Sequence, residues 1–86
     1  GRVSFFTVGK DEVHQWLVRV NSPAPIAAGV IHSDLQKGFI RAEVMKYDEL
    51  LEYGSEPELK KQGKMYVQGK DYIVVDGDIL NIRFQV

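Results

Sequence analysis

The chain has 86 residues, enough for one domain with a modest core, and its 44% hydrophobic and 27% charged residues are typical of a globular protein. A net charge of −1 excludes a protein that binds nucleic acid over its whole surface, so such a contact needs a local patch. The absence of cysteine excludes disulfides, thiolate metal sites and thiol nucleophiles, and it suits a cytoplasmic protein. No apolar run has the length of a membrane span.

The first third of the chain predicts a β-hairpin followed by a helix. Strand-forming residues over 4–8 and an alternating pattern over 12–20 flank the turn residues Gly9-Lys10-Asp11. In the second strand we expect one set of side chains to face the core: His14, Trp16, Val18 and Val20. Ser22 before a proline then predicts a helix start, and a short helix follows over 26–31.

The middle of the chain predicts a further helix start, a third strand and a helical insertion. Ser33 lies three residues before a glutamine and matches the capping box of a helix N-terminus. Residues 40–47 alternate as a strand. Its apolar face is expected to comprise Ile40, Ala42 and Val44. Two short helical segments are expected within 48–64, the second capped by Ser55.

The last part of the chain completes a sheet. Short strand candidates at 65–67 and 72–75 precede a turn at Asp76-Gly77 and a final strand over 79–84. A hairpin followed by a helix and returning strands predicts an α+β fold of the β-grasp (ubiquitin-like) kind. In it a mixed sheet packs on a helix, with a small helical insertion around 48–64.

One cluster of polar residues, His32, Ser33 and Asp34, contains the groups of a nucleophilic triad. Adjacent side chains diverge along the backbone, so they rarely converge into the geometry that such a triad needs. We therefore expect His32 to be a half-buried residue at a helix junction that bonds to the backbone. A small enzyme using His32 and Asp34 is the alternative.

Signals for bound cofactors are weak. The two histidines lie on different predicted elements, and Asp76-Gly77-Asp78 lacks the downstream glutamate of a calcium loop. Gly-Lys occurs three times but never with the following Ser or Thr of a P-loop. We expect no catalytic, cofactor-binding or metal-binding residues in this domain.

Three arginines on three predicted strands, Arg19, Arg41 and Arg83, have the parity opposite to the core residues. An exposed sheet face with arginines is suited to contact RNA phosphates or a protein partner. The alternative is a solvated face in which Glu43 pairs with a neighbouring arginine across strands.

Three segments resemble a known family: "SFFTVGKDEV" near the start, "AAGVIHSDLQKGFIRAEV" at residues 27–44, and "GKDYIVVDGDILNIRFQV" at the end. They closely resemble the C-terminal TGS (ubiquitin-like) domain of the YchF-type Obg-like ATPase/GTPase family. The resemblance implies that 1–86 is a single TGS-like domain, a fragment of a longer NTPase. Within 27–44 lie His32 and Lys37, which join the three arginines as candidate partner- or RNA-binding residues.

The resemblance also implies a function. It suggests a non-catalytic regulatory or binding module of a ribosome-associated, cytoplasmic P-loop NTPase that contacts RNA, the ribosome or the longer protein's nucleotide domain. ATP or GTP and Mg would then belong to that nucleotide domain. The alternative is an intramolecular docking domain that tunes ATP hydrolysis without touching RNA. One departure is the corner Arg19-Val20-Asn21-Ser22-Pro23, which lacks the basic run usual in the family before Ala-Pro.

Overall fold

The computed structural model describes all 86 residues and shows a five-stranded mixed sheet with helices on both faces. The elements in chain order are β1 (Arg2–Val8), β2 (Val13–Arg19), α1 (Ala24–Ile31), α2 (Ser33–Lys37), β3 (Phe39–Lys46), α3 (Tyr47–Tyr53), α4 (Glu56–Lys61), β4 (Tyr66–Gln68) and β5 (Asp78–Phe84). The strand order is β2-β1-β5-β3-β4, with β1 and β5 parallel and the other neighbours antiparallel. The predicted α+β fold is confirmed. No helix is long and apolar enough to cross a membrane.

The main core lies between α1 and one face of the sheet, which we call the inner face. Phe5 of β1 is fully buried there, and Leu80 of β5 and Val44 of β3 lie in the same cluster. Three small side chains of α1 complete it: Ala24, Ala27 and Ala28. Because these methyl groups are short, the helix can lie close to the sheet and bury apolar area at native packing density.

The α3–α4 insertion packs on the opposite, outer face of the sheet. Leu59 of α4 is fully buried against Met45 and Ile79, which point outward from β3 and β5. The chain turns between the two helices at Gly54, whose φ of 92° favours glycine. The insertion therefore covers the centre of the outer face with a second small core, and only the ends of that face stay open.

Two predicted core positions of β2 are wrong. Val18 is buried and Trp16 is half-buried, but His14 and Val20 are exposed. Strand β2 is an edge strand with a single neighbour, and it ends at Arg19, so Val20 lies beyond it. His14 instead stacks on Trp16 with ring centroids 5.8 Å apart.

The predicted inward position of Ile40 is also wrong. The pairing of β3 with β5 shifts between Phe39 and Arg41, which indicates a β-bulge. The extra residue inverts the alternation, so Phe39 is buried and Ile40 is exposed, whereas Ala42 and Val44 are buried as predicted.

Two further local predictions differ in outcome. The Ser55 cap is confirmed, since its hydroxyl accepts a hydrogen bond from the Glu58 amide at 3.3 Å. Residues 72–75 do not form a strand, and Ile73 makes only an isolated bridge to Pro23.

The second core yields a test of the insertion. Leu59→Ala should lower the free energy of unfolding by about 2–5 kcal/mol, because a fully buried leucine loses its contacts and leaves a cavity. Leu51→Ala, at a side chain that is 66% exposed in the same insertion, should change it by less than about 0.5 kcal/mol. Urea denaturation measures both, and equal effects would contradict the packing described here.

Candidate functional site

His32 joins two helices. Its amide donates to the Ala28 carbonyl at 3.1 Å and ends α1, and its Nδ1 accepts from the Asp34 amide at 3.0 Å and caps α2. The predicted bond to the backbone is confirmed. The predicted half-burial is wrong, since the side chain is 61% exposed. The predicted Ser33 cap is also wrong, because a histidine nitrogen one residue earlier takes that place.

The His-Ser-Asp cluster has no triad geometry. The Nδ1 of His32 lies 3.8 Å from the Asp34 carboxylate and already accepts a backbone N–H. No hydrogen bond joins the Ser33 hydroxyl to the imidazole. A nucleophile needs a base within hydrogen-bond reach, so these side chains serve the helix junction.

A buried carboxylate, Asp78, is the centre of the densest polar network in the chain. Its Oδ1 accepts from the Lys46 ammonium at 2.5 Å, and its Oδ2 accepts from the Tyr72 hydroxyl at 2.6 Å and the Val75 amide at 2.9 Å. Lys46 also donates to the Tyr72 oxygen at 3.0 Å. The network thus ties the start of β5 to the end of β3 and to the loop between β4 and β5.

Two pKa values in this network are shifted. Burial raises the pKa of Tyr72, and its hydrogen bond to Asp78 raises it further. Burial lowers the pKa of Lys46, but its hydrogen bonds to Asp78 and Tyr72 outweigh that effect, so the pKa is raised overall. At neutral pH the lysine is therefore charged and the tyrosine neutral. No buried side-chain polar atom in the chain lacks a partner, which is typical of a structural network.

The sequence pattern did not predict this network, because Asp78 lies between the predicted turn at Asp76-Gly77 and the predicted strand over 79–84. The alternation of side chains along the two strands could have revealed it. Asp78 alternates with the inward Leu80, and Lys46 alternates with the inward Val44, so both charges belong to the covered face. Opposite charges on the inner face of neighbouring strands indicate a buried pair.

The three predicted arginines do not form one patch. Arg41 and Arg83 are direct cross-strand partners of β3 and β5, whereas Arg19 is opposite Arg2 on β2 and β1. In the parallel pairing, Phe5 of β1 is level with Asp78, which places Arg2 and Arg83 eight residues apart along the strands. That is about 26 Å at ~3.3 Å per residue. The outer face therefore has two separate basic groups.

One of these groups is the pair Arg41 and Arg83. Together with Lys37 of α2, which packs on the inner-face core at the same end of the sheet, this pair forms what we call the basic end. The last residue of α2 is Lys37, and the next residue, Gly38, accepts from the Gln85 amide at 2.9 Å, just beyond β5. All three cations are exposed and belong to the same end of the sheet. His32 lies at the far end of α2.

The basic end is partly neutralised. The Arg83 Nε lies 3.5 Å from a carboxylate oxygen of Glu43, whose other oxygen accepts from the Asn81 amide at 3.0 Å. Arg41 and Lys37 have no ion pair within the chain, whose ion pairs involve other residues. The cross-strand pairing considered from the sequence does form, and it leaves two free cations beside it.

No group of three or more His, Asp or Glu side chains is arranged to hold a metal ion. The strand order, the helix across the inner face and the insertion define an α+β domain of the β-grasp class. Residues 3–85 match the family described as "YchF-GTPase_C: Protein of unknown function (DUF933)".

Curated relatives agree with this match. The chain is 51% identical over 83 residues to the "Ribosome-binding ATPase YchF" of Haemophilus ducreyi, covering 96% of this chain and 23% of that protein. It is 55% identical over 80 residues to the "Obg-like ATPase 1" of Rattus norvegicus, covering 93% of this chain and 20% of that protein. The chain thus spans less than a quarter of the length of these relatives.

Solved structures show the same fold. The Schizosaccharomyces pombe YchF GTPase superposes with a TM-score of 0.90 at 40% identity, over 95% of this chain and 22% of that one. A GTP-binding protein from Pyrococcus horikoshii shares the fold, with a TM-score of 0.62 at 20% identity over 98% of this chain and 21% of that one. The chain belongs to the YchF-GTPase C-terminal family, as its resemblance indicated. The name of the matched family places this segment at the C-terminal end of such proteins.

The role of His32 as a cap can be measured. His32→Ala should lower the free energy of unfolding by about 1 kcal/mol, because the first turn of α2 loses its acceptor. His32→Asn retains a side-chain acceptor and should lose less. Thermal or urea denaturation compares the two, and an alanine variant as stable as the wild type would contradict the capping role.

The Asp78 network predicts a loss of stability in alkaline solution. The pKa values of Tyr72 and Lys46 are raised from their ordinary 10.0 and 10.5, so the folded chain holds these protons more tightly than the unfolded chain. Their contribution is complete below the ordinary values and is lost as the pH rises through the raised ones. Tyr72→Phe should therefore make the alkaline fall in unfolding free energy shallower. The exposed Tyr47→Phe is the control, and matching pH profiles for the two variants would count against the network.

Proposed function

We propose that residues 1–86 form a single TGS-like domain that acts as a regulatory and binding module of a ribosome-associated, cytoplasmic P-loop NTPase. The observation that carries this proposal is the family match over residues 3–85, with relatives named ribosome-binding ATPases of which this segment makes up about a quarter. ATP or GTP and Mg would bind in the nucleotide domain of such a protein.

The basic end is the part of the chain best suited to touch RNA. Lys37, Arg41 and Arg83 come from three different elements and are all exposed, so they can contact neighbouring phosphates of one backbone. His32 has an exposed ring whose Nε2 makes no hydrogen bond within the chain, and it extends this surface along α2.

Arg19 has a lesser part in this proposed contact. It lies beside Arg2 at the other end of the sheet, about 26 Å from Arg83 along the strands. A single short stretch of RNA on the basic end would not reach it. Its exposed guanidinium belongs to a different surface, bordered by β2 and α1.

A second candidate function is docking on the nucleotide domain of the same protein without RNA contact. It is favoured by the Glu43–Arg83 pair, which reduces the positive charge of the basic end, and by the net charge of −1. A surface of mixed sign suits a protein partner better than a phosphate backbone. Deleting the domain would then change ATP hydrolysis and leave ribosome binding intact.

The two functions are separated by charge reversal in the longer protein that contains this chain. Arg41→Glu with Arg83→Glu should weaken co-sedimentation with ribosomes. It should also make the dependence of log affinity on log salt concentration shallower, by the loss of about two phosphate contacts. Lys10→Glu with Lys61→Glu changes the net charge equally at exposed residues away from the basic end and should leave both unchanged. Sedimentation across a salt series, with ATP hydrolysis measured in parallel, is the experiment.

The contradictory outcomes are specific. Equal losses in the two double variants would mean that ribosome contact depends on overall charge and not on the basic end. Unchanged sedimentation in the Arg41 and Arg83 variant, with altered ATP hydrolysis, would favour docking within the same protein.

A further inference from the structure

The sheet has one long free edge. Strand β2 forms that edge with seven residues and pairs with β1 in unbroken register from Arg2 opposite Arg19 to Val8 opposite Val13. The other edge strand, β4, has three residues. A free edge presents a row of backbone N–H and C=O groups that can pair with another chain.

The direction of these backbone groups follows from two hydrogen bonds. The Val20 amide donates to the Gly1 carbonyl at 3.0 Å, and the Gly9 amide donates to the Glu12 carbonyl at 2.8 Å. In an antiparallel pair, bonded and non-bonded residue pairs alternate, so the even-numbered residues of β2 bond to β1. The backbone groups of Gln15 and Leu17 therefore point away from the sheet.

No charged residue protects the middle of this edge, from Gln15 to Val18. Proteins commonly shield an edge strand with lysine, proline, a bulge or a covering segment. The sequence of β2, VHQWLVR, contains neither lysine nor proline, and its pairing has no bulge. Its side chains Val13 and Leu17 are 65% and 51% exposed. The edge is thus both open and apolar, which is typical of a site of strand addition.

A groove runs beside this edge, between β2 and α1. Its floor is mainly apolar and is lined by Leu17, Val18, Ser22, Ile26 and Val30. Arg2 and Arg19 border it, no Asp or Glu lines it, and neither arginine is among the ion pairs of the chain. The groove therefore combines an apolar floor with two unpaired cations at one end.

We propose that the free edge of β2 and this groove bind an extended peptide of a protein partner, apolar in its middle and acidic at its flank, as an additional strand of the sheet. The backbone of the peptide pairs with Gln15 and Leu17, and alternate side chains enter the groove beside Ile26. A flanking carboxylate pairs with Arg19 or Arg2. The repeating amide ladder and the apolar floor favour a polypeptide over RNA. The proposal is independent of ribosome contact at the basic end.

The proposal is tested by nuclear magnetic resonance titration of the 86-residue chain with the synthetic peptide Asp-Glu-Val-Ile-Val-Asp-Glu. Acidic residues at both ends allow either strand direction to bring a carboxylate to Arg19. We expect shifted amide signals along β2 and α1, and slower hydrogen exchange at Gln15 and Leu17. The matched peptide with lysines in place of its acids should not bind.

Two pairs of variants sharpen the test. Gln15→Pro removes an outward N–H that does not bond to β1, a change that an edge strand tolerates, and it should abolish binding. Gln15→Ala keeps that N–H and should bind within about twofold of the wild type. Arg19→Glu should weaken binding about tenfold, and Lys10→Glu, at an exposed cation in the hairpin turn, should not.

Several results would overturn the proposal. With the wild-type chain, these results are equal binding of the acidic and lysine peptides, signal shifts confined to the basic end, or no binding of the acidic peptide at about 1 mM. With the variants, the contradicting result is that a folded Gln15→Pro chain binds as well as Gln15→Ala. If Gln15→Pro does not fold, Arg19→Glu against Lys10→Glu decides. A uridine oligonucleotide that shifts the Gln15 and Leu17 signals when the peptide does not would assign the edge to RNA.

Discussion

The arrangement of the central strands depends on the buried carboxylate of Asp78. Taking a carboxylate out of water costs several kcal/mol unless it is paired and hydrogen-bonded, and here three donors satisfy it, one from β3 and two from the loop between β4 and β5. Asp78 is the first residue of β5. It is paired with Phe5 of β1 in the parallel register and with Lys46 of β3 in the antiparallel register. A slip of either strand by one residue would move the carboxylate to the other face and leave the Lys46 ammonium without it. The network thus selects one register at the centre of the sheet.

Given this register, the outer face is divided by the α3–α4 insertion. Leu59 covers Met45 and Ile79 at the centre, and the outward arginines lie on either side, in the basic end and in the group around Arg19. A plain β-grasp sheet would leave one continuous outer face. The insertion therefore does more than extend the chain, because it separates two surfaces that the sequence pattern alone had joined.

The order of strands and helices was readable from the sequence because alternation, turn residues and the Ser55 cap are local signals. Three features were not. The bulge beside Ile40 changes the strand's phase without any glycine or proline to mark it. The His32 cap uses a ring nitrogen where capping patterns anticipate an oxygen. The separation of Arg19 from Arg83 depends on the parallel pairing of β1 with β5, which is a property of the fold and not of any segment. His14 was misplaced because alternation does not reveal which strand lies at the edge of the sheet, where an inward-facing side chain can remain exposed.

The distance between the two basic surfaces has an electrostatic consequence. About 26 Å along the strands is roughly three Debye lengths at physiological salt, so charges at one surface hardly affect the potential at the other. The net charge of −1 is therefore an average over two local positive regions and negative charges located elsewhere, such as the acidic first turns of α3 and α4. A ligand at the β2 edge and one at the basic end would bind without electrostatic competition. The two proposed contacts would therefore each depend on their own arginine pair, Arg2 with Arg19 at the β2 edge and Arg41 with Arg83 at the basic end.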